Sequence, residues 1–81
     1  MLYRTKGVCS QSIEFELVDG KIHNAQFQGG CSGNTQGVCS LVEGMDAREA
    51  IQKMSGIRCG HKSTSCPDQF AKALEAALEQ A

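Results

Sequence analysis

Between Ser12 and Phe27 the chain has few ways to fold. Ile13, Phe15 and Leu17 alternate with Ser12, Glu14, Glu16 and Val18, the period of a half-buried strand. Asp19-Gly20 follows at once, a dipeptide that reverses an antiparallel pair. A second alternating run then carries Ala25 and Phe27 on one parity. A strand at about Leu2 to Val8 ahead of the hairpin completes a three-stranded antiparallel meander. Two registers compete. A two-residue Asp19-Gly20 loop pairs Leu17 with Ile22 but sets Ala25 against Glu14 and Phe27 against Ser12, splitting the apolar residues between two faces. A three-residue loop, Val18-Asp19-Gly20, pairs Leu17 with Lys21 and Ile13 with Ala25. It keeps Ile13, Phe15, Leu17, Ala25 and Phe27 together, so it is the expected register.

The rest of the chain reads as helices. A first helix from about Ser32 to Glu43 carries Val38, Leu41 and Val42 on one stripe, with Gly33 and Gly37 one turn apart for close approach to the sheet. Asp46-Ala47-Arg48-Glu49 has the form of a capping box with Asp46 as N-cap. The helix behind it buries Ala50, Ile51 and Met54 and stops at Gly56. A last helix starts at Pro67, a residue favoured at the first helical position. Phe70, Ala73, Leu74, Ala77, Leu78 and Ala81 form its apolar stripe, and Lys72, Glu75, Glu79 and Gln80 its polar face. The expected architecture is α+β: a three-stranded antiparallel meander followed by three helices packed on one sheet face. Residues 1–81 form one domain.

Eight Lys and Arg against nine Asp and Glu, with no basic run, give neither the clustered cations of a nucleic-acid surface nor the basic face of a membrane-surface helix. The N-terminus lacks the apolar stretch of a signal peptide, and nothing approaches the ~20 apolar residues of a bilayer span. The expected location is the cytoplasm. A chain of 81 residues buries only about 60–65% of its unfolded surface, a thin core that a metal, a disulfide or a partner often supports. In a reducing compartment, five cysteines point to metal or redox chemistry; the alternative is thiols that pack as small hydrophobes.

Topology brings the cysteines together. Cys9 falls in the turn between the first and second strands, and Cys31 follows the third, so both belong to the same end of a meander. Cys59 and Cys66 bracket a polar loop, and Cys66 falls at the cap of the last helix, where partial positive charge favours thiolate. Cys39 lies inside the first helix, about 12 Å beyond Cys31 by helix rise, and reads as packing. Four thiolates make a tetrahedral zinc site, although no Cys-x-x-Cys pair is present. His61 is a substitute ligand or a solvated loop residue, and His23 reads as structural. Gly29, Gly30, Gly33 and Asn34 have the form of an anion cradle opening a helix. It is neither a P-loop nor a dinucleotide fingerprint, and the same glycines also serve a tight turn.

Thr64-Ser65-Cys66-Pro67-Asp68 spells the signature of the TSCPD domain, and the chain resembles that family over nearly its whole length. Gly7-Val8-Cys9-Ser10, Phe27-Gln28-Gly29-Gly30-Cys31-Ser32-Gly33-Asn34 and Cys59-Gly60-His61-Lys62 stand where small stand-alone members carry similar blocks. In that family the domain also occurs attached to ribonucleotide reductases, notably the cobalamin-dependent class. The resemblance implies a link to deoxyribonucleotide synthesis and, as partner, a ribonucleotide reductase or a thioredoxin-like protein. It does not imply that this chain performs the reduction, whose catalytic barrel takes hundreds of residues. The family's cysteine pattern maps onto Cys9, Cys31, Cys59 and Cys66, with Cys39 an extra. These four are the expected metal ligands, and zinc the expected metal. A dithiol relay is the redox counterpart, with Cys66 as nucleophile and Cys59 as resolving thiol. A weaker likeness is to iron–sulfur scaffold proteins, but Gly33 stands where they place an aspartate. The competing functions are a zinc-binding or iron–sulfur-carrying protein unrelated to nucleotides, and a structural interaction module.

Overall fold

A computed structural model describes residues 2–5, 7, 10–29, 32–58, 60 and 64–80. Three strands, β1 (Leu2–Arg4), β2 (Ser10–Val18) and β3 (Lys21–Gly29), precede three helices, α1 (Ser32–Val42), α2 (Ala47–Met54) and α3 (Cys66–Gln80). The sheet is antiparallel in the order β1-β2-β3, so the expected α+β meander followed by helices is what the chain forms.

The hairpin register differs from the expected one. Val18 pairs with Lys21 and Leu17 with Ile22, so the loop is the two-residue Asp19-Gly20. Both residues have positive φ, 53° and 78°, as a type I′ turn requires. The split of apolar residues that argued against this loop is removed by a β-bulge. Glu16 pairs with His23 but Glu14 with Gln26, so Phe15 alone faces the two residues Asn24 and Ala25. Asn24 adopts φ 57°, a left-handed conformation that asparagine tolerates better than most residues. The extra residue reverses the parity of the strand. Ile22 before the bulge and Phe27 after it therefore share the core face, Phe27 opposite Ile13. A second irregularity lies between Ser10 and Ser12.

The helices cover the face that carries Ile13 and Phe15, both fully buried, while Glu14 and Glu16 on the other face are exposed. Phe70 of α3 is the centre of the core. Its ring lies 5.5 Å from that of Phe15 and 5.7 Å from that of Phe27, the second edge-on at 87°, within the favourable range for aromatic pairs. Ala71, Ala73 and Leu74 are buried beside it, with Ala50 and Met54 from α2 and Val42 from α1. Ala77 and Leu78 are half-buried. Ala81 lies outside the described residues.

Two expectations for α1 fail. Leu41 is 79% exposed, so it does not share the buried stripe of Val38 and Val42. Gly33 and Gly37 are exposed, and a Cβ on either would meet nothing within 4 Å, so neither mediates close approach to the sheet. What holds α1 to β3 lies nearer its C-terminus. The Glu43 carboxylate takes the Asn24 N–H at 2.9 Å and lies 2.8 Å from His23 Nδ1, the structural part expected of His23. The turn into α2 then stitches to the strand, with Gly44 N–H donating to Ile22 O and Ile22 N–H to Met45 O. Asp46 caps α2 as expected, accepting from Arg48 N–H at 2.9 Å; Glu49 lies 3.4 Å from Lys53 Nζ. Among the described residues, no helix is long and apolar enough to cross a membrane.

Candidate functional site

The start of α3 is built from buried polar side chains. Ser65 is its N-cap: Ser65 Oγ accepts the Asp68 N–H at 3.2 Å, and Ser65 O accepts the Gln69 N–H at 2.8 Å. The same hydroxyl donates to Ile57 O at 2.7 Å. Cys66 is therefore the first helical residue and Pro67 the second. The expectation of Pro67 at the first position, with Cys66 as the cap, is one residue late because Ser65, a better cap former, stands ahead of it.

Asp68 draws the surrounding chain together. Its Oδ1 accepts the Gly56 N–H at 2.7 Å, just beyond the end of α2, and its Oδ2 accepts the Thr64 hydroxyl. Lys72 Nζ lies 3.7 Å from the same Oδ2, one turn along α3. Thr64 Oγ1 in turn accepts from Gln69 Nε2 at 3.0 Å. Thr64, Ser65, Asp68 and Gln69 are each buried, and each has hydrogen-bond partners, as buried polar groups require. The Thr64 hydroxyl holds the Asp68 carboxyl below the usual carboxylate range. Burial opposes that shift, while the Gly56 amide and the Lys72 charge add to it.

Thr64 also meets the front of the chain. Gly7 has φ +72°, and a Cβ placed on it would lie 3.3 Å from Thr64 Cγ2. Gly7 stands two residues ahead of Cys9, and Thr64 two ahead of Cys66. On the sheet, Ser10 pairs with Gly29, and α1 opens at Ser32. Ser10, next to Cys9 in the chain, and Gly29, two residues ahead of Cys31, thus face each other on adjacent strands.

The expected ligands Cys9, Cys31 and Cys59, the alternative ligand His61, and Gly30 of the expected anion cradle lie outside the described residues. Cys66 is described and half-buried at the first position of α3. Among the described residues, no group of three or more His, Cys, Asp or Glu is placed to hold a metal. Of the other cradle residues, Gly29 ends β3 with φ 78°, and Gly33 and Asn34 are exposed in the first turn of α1.

Cys39 is partly buried and packs against the core, in keeping with its reading as packing. Burial pushes its thiol upward, against a smaller downward pull from the Phe27 main chain. It lies in the wall of an open groove of about 600 Å³ between β3 and α1, which Gln26, Gln28, Thr35 and Gln36 also line. Among the described residues no charged side chain lines that groove, and it is a weaker candidate than the start of α3.

The sequence reading picked out Thr64, Ser65 and Asp68 only as letters of the family signature and gave a structural part to Cys66 and Pro67 alone, so the hydrogen-bonded network of Thr64, Ser65, Asp68 and Gln69 escaped it. The signal was present: Ser65-x-x-Asp68 directly ahead of an apolar helical stripe is a helix-start pattern.

No curated protein and no solved structure gives a significant match to the chain. The family model described as TSCPD domain matches residues 1–78, a span that includes the Thr64–Asp68 network as well as the Gly7 contact. The chain belongs to the TSCPD domain family.

Proposed function

We propose that this chain is an accessory domain tied to ribonucleotide reduction, in which Cys9, Cys31, Cys59 and Cys66 hold a zinc ion. The reductase link rests on the family, whose domain occurs attached to ribonucleotide reductases. The zinc reading rests on one observation above all. The contact of Gly7 with Thr64 and the pairing of Ser10 with Gly29 draw the surroundings of three of these cysteines toward one end of the sheet. The donor set fits the metal: thiolates are soft ligands that select zinc. Zinc bound there would supply cross-links between segments far apart in sequence. The chain's own residues would do the rest, with α3 presenting Cys66 at its first turn and the hairpin presenting the flanks of Cys9 and Cys31.

Elemental analysis of protein purified without oxygen, paired with a thiol count, tests the metal. The expected result is about one zinc per chain, with Cys39 alkylated and the other four thiols protected until a chelator is added. Metal-free protein with all cysteines equally reactive would overturn it. Capture by a ribonucleotide reductase of purified, metal-loaded chain tests the partner; no binding at micromolar concentrations would remove the reductase link.

The fastening of Gly56 and Ile57 to Asp68 and Ser65 also favours a second reading, a dithiol relay of Cys59 and Cys66. Forming that disulfide passes two electrons and two protons to a disulfide of the reductase, which becomes a dithiol, and a thioredoxin-like dithiol then returns them to this chain as it is itself oxidised. Zinc and relay compete for the same sulfurs. Peptide mapping of metal-free protein after mild oxidation separates them: a Cys59–Cys66 disulfide supports the relay, and random pairing counts against it.

A further inference from the structure

β3 lies at one edge of the sheet, and its two halves are guarded differently. Along the first half, the chain that follows α1 fills the edge. Ala47 N–H donates to Gly20 O, Ile22 N–H to Met45 O, and Asn24 N–H to the Glu43 carboxylate. Along the second half, residues 25–29, the described neighbour is α1, which stands across the open groove of about 600 Å³. There Cys39 meets the Phe27 main chain. Residues 25–29 include no charge and no proline, the devices that commonly keep a strand edge from pairing with other chains. Their protection therefore rests on α1.

That cover is weak by composition. No acidic residue stands in the first turn of α1 and no basic one in its last, so no side-chain charge complements the helix dipole. Gly33 and Gly37 are exposed, neither has positive φ, and a Cβ on either would meet nothing within 4 Å. Packing does not require glycine at these places. In a helix interior, glycine rather than alanine lowers the helical equilibrium roughly four- to fivefold. The far end of α1 is the anchored one, through Glu43 and the main-chain bonds of Gly44 and Met45 to Ile22. We propose that α1 is a lid on the β3 edge: residues 33–39 open locally while the rest of the fold stays formed, uncovering residues 25–29 and the Cys39 thiol. This lid goes beyond the zinc reading and does not depend on it.

A helix that is only structural opens with the whole domain, whereas a lid opens by itself. Native-state hydrogen exchange of the reduced full chain, in low and rising denaturant, separates the two. The amides of residues 36–39 are expected to exchange before those of Ile22 and Leu74, and with little dependence on denaturant, since a local opening exposes little surface. Gly37→Ala should slow exchange at residues 36–39 about four- to fivefold. Alkylation of Cys39 by iodoacetamide, located by peptide mass spectrometry, should slow in step with it. Gly33→Ala should act in the same direction, and it decides should circular dichroism show Gly37→Ala misfolded. Residues 36–39 that exchange only with the denaturant dependence of Ile22 and Leu74 would overturn the proposal. So would folded alanine variants that leave both the exchange of α1 and the alkylation of Cys39 unchanged. Slower exchange with unchanged alkylation would equally overturn it, because the thiol would then be reached without the lid opening.

Discussion

Asp68 keeps a charge in a place where only 6% of the residue's surface reaches solvent. Such a carboxylate persists only where hydrogen bonds replace its water, and the Thr64 hydroxyl and the Gly56 amide do so. Because these groups favour the ionised form, its value in the folded chain lies below that of the unfolded chain, where aspartate titrates near about 3.9. The stabilisation is therefore complete above the unfolded value and is lost as pH falls through the folded one. Denaturant melts taken from neutral pH into acid should show this limb of instability, and Asp68→Asn should flatten it while lowering stability at neutral pH. An acid limb of the same steepness in Asp68→Asn would assign the loss to other groups. Cys39 is the contrasting case. Its thiol is shifted upward by burial, which makes it a poor nucleophile at neutral pH and suits a residue that packs against the core.

At the scale of elements, the sequence exposed most of the fold because most elements are stated locally. The alternation of Ile13, Phe15 and Leu17, the Asp46 cap and the α3 stripe each need only a few neighbouring residues to read. The hairpin register was harder, since it depends on a residue whose effect is to break the pattern. Ile22 and Phe27 lie five positions apart, so they cannot share a face of a regular strand. That mismatch was the mark of the bulge, yet it reads equally well as a longer loop until Asn24 is seen at φ 57°. Likewise, Gly33 and Gly37 at one-turn spacing do not show which way a helix faces; packing settled that, and turned them outward. The site was less legible than the fold. The cysteines are visible as letters, whereas the Asp68 network is made of polar residues that usually sit in solvent. The bulge itself can be tested. Asn24→Val puts a β-branched residue into left-handed backbone and should cost about 1–3 kcal/mol, whereas Asn24→Gly should be close to neutral, because glycine has no Cβ to strain. Equal stability of the two variants would mean that the left-handed residue at position 24 does not set the register.

Across the described residues, Phe15 and Phe27 both pack on Phe70, and Ile13, Ile22, Leu74 and Met54 join four alanines around them. A core of this kind gives a chain of 81 residues only a modest margin of stability. In the zinc reading, the metal makes up the difference, because its binding free energy counts as folding free energy. Two cysteines on either side of that line should therefore respond differently. Cys39→Ala removes a packed sulfur and should cost about 1 kcal/mol, a melting-temperature drop of roughly 4–8 °C for a domain of this size. It should leave intact the further drop that a zinc chelator causes in wild type. Cys31→Ala removes a ligand, so it should begin at the melting temperature of chelated wild type or lower, and the chelator should change it little. Melting curves of the three proteins with and without chelator read out both effects. A chelator that shifts Cys31→Ala as far as wild type would place Cys31 outside the metal site. A chelator that shifts none of them would show that the fold stands on its aromatic core alone.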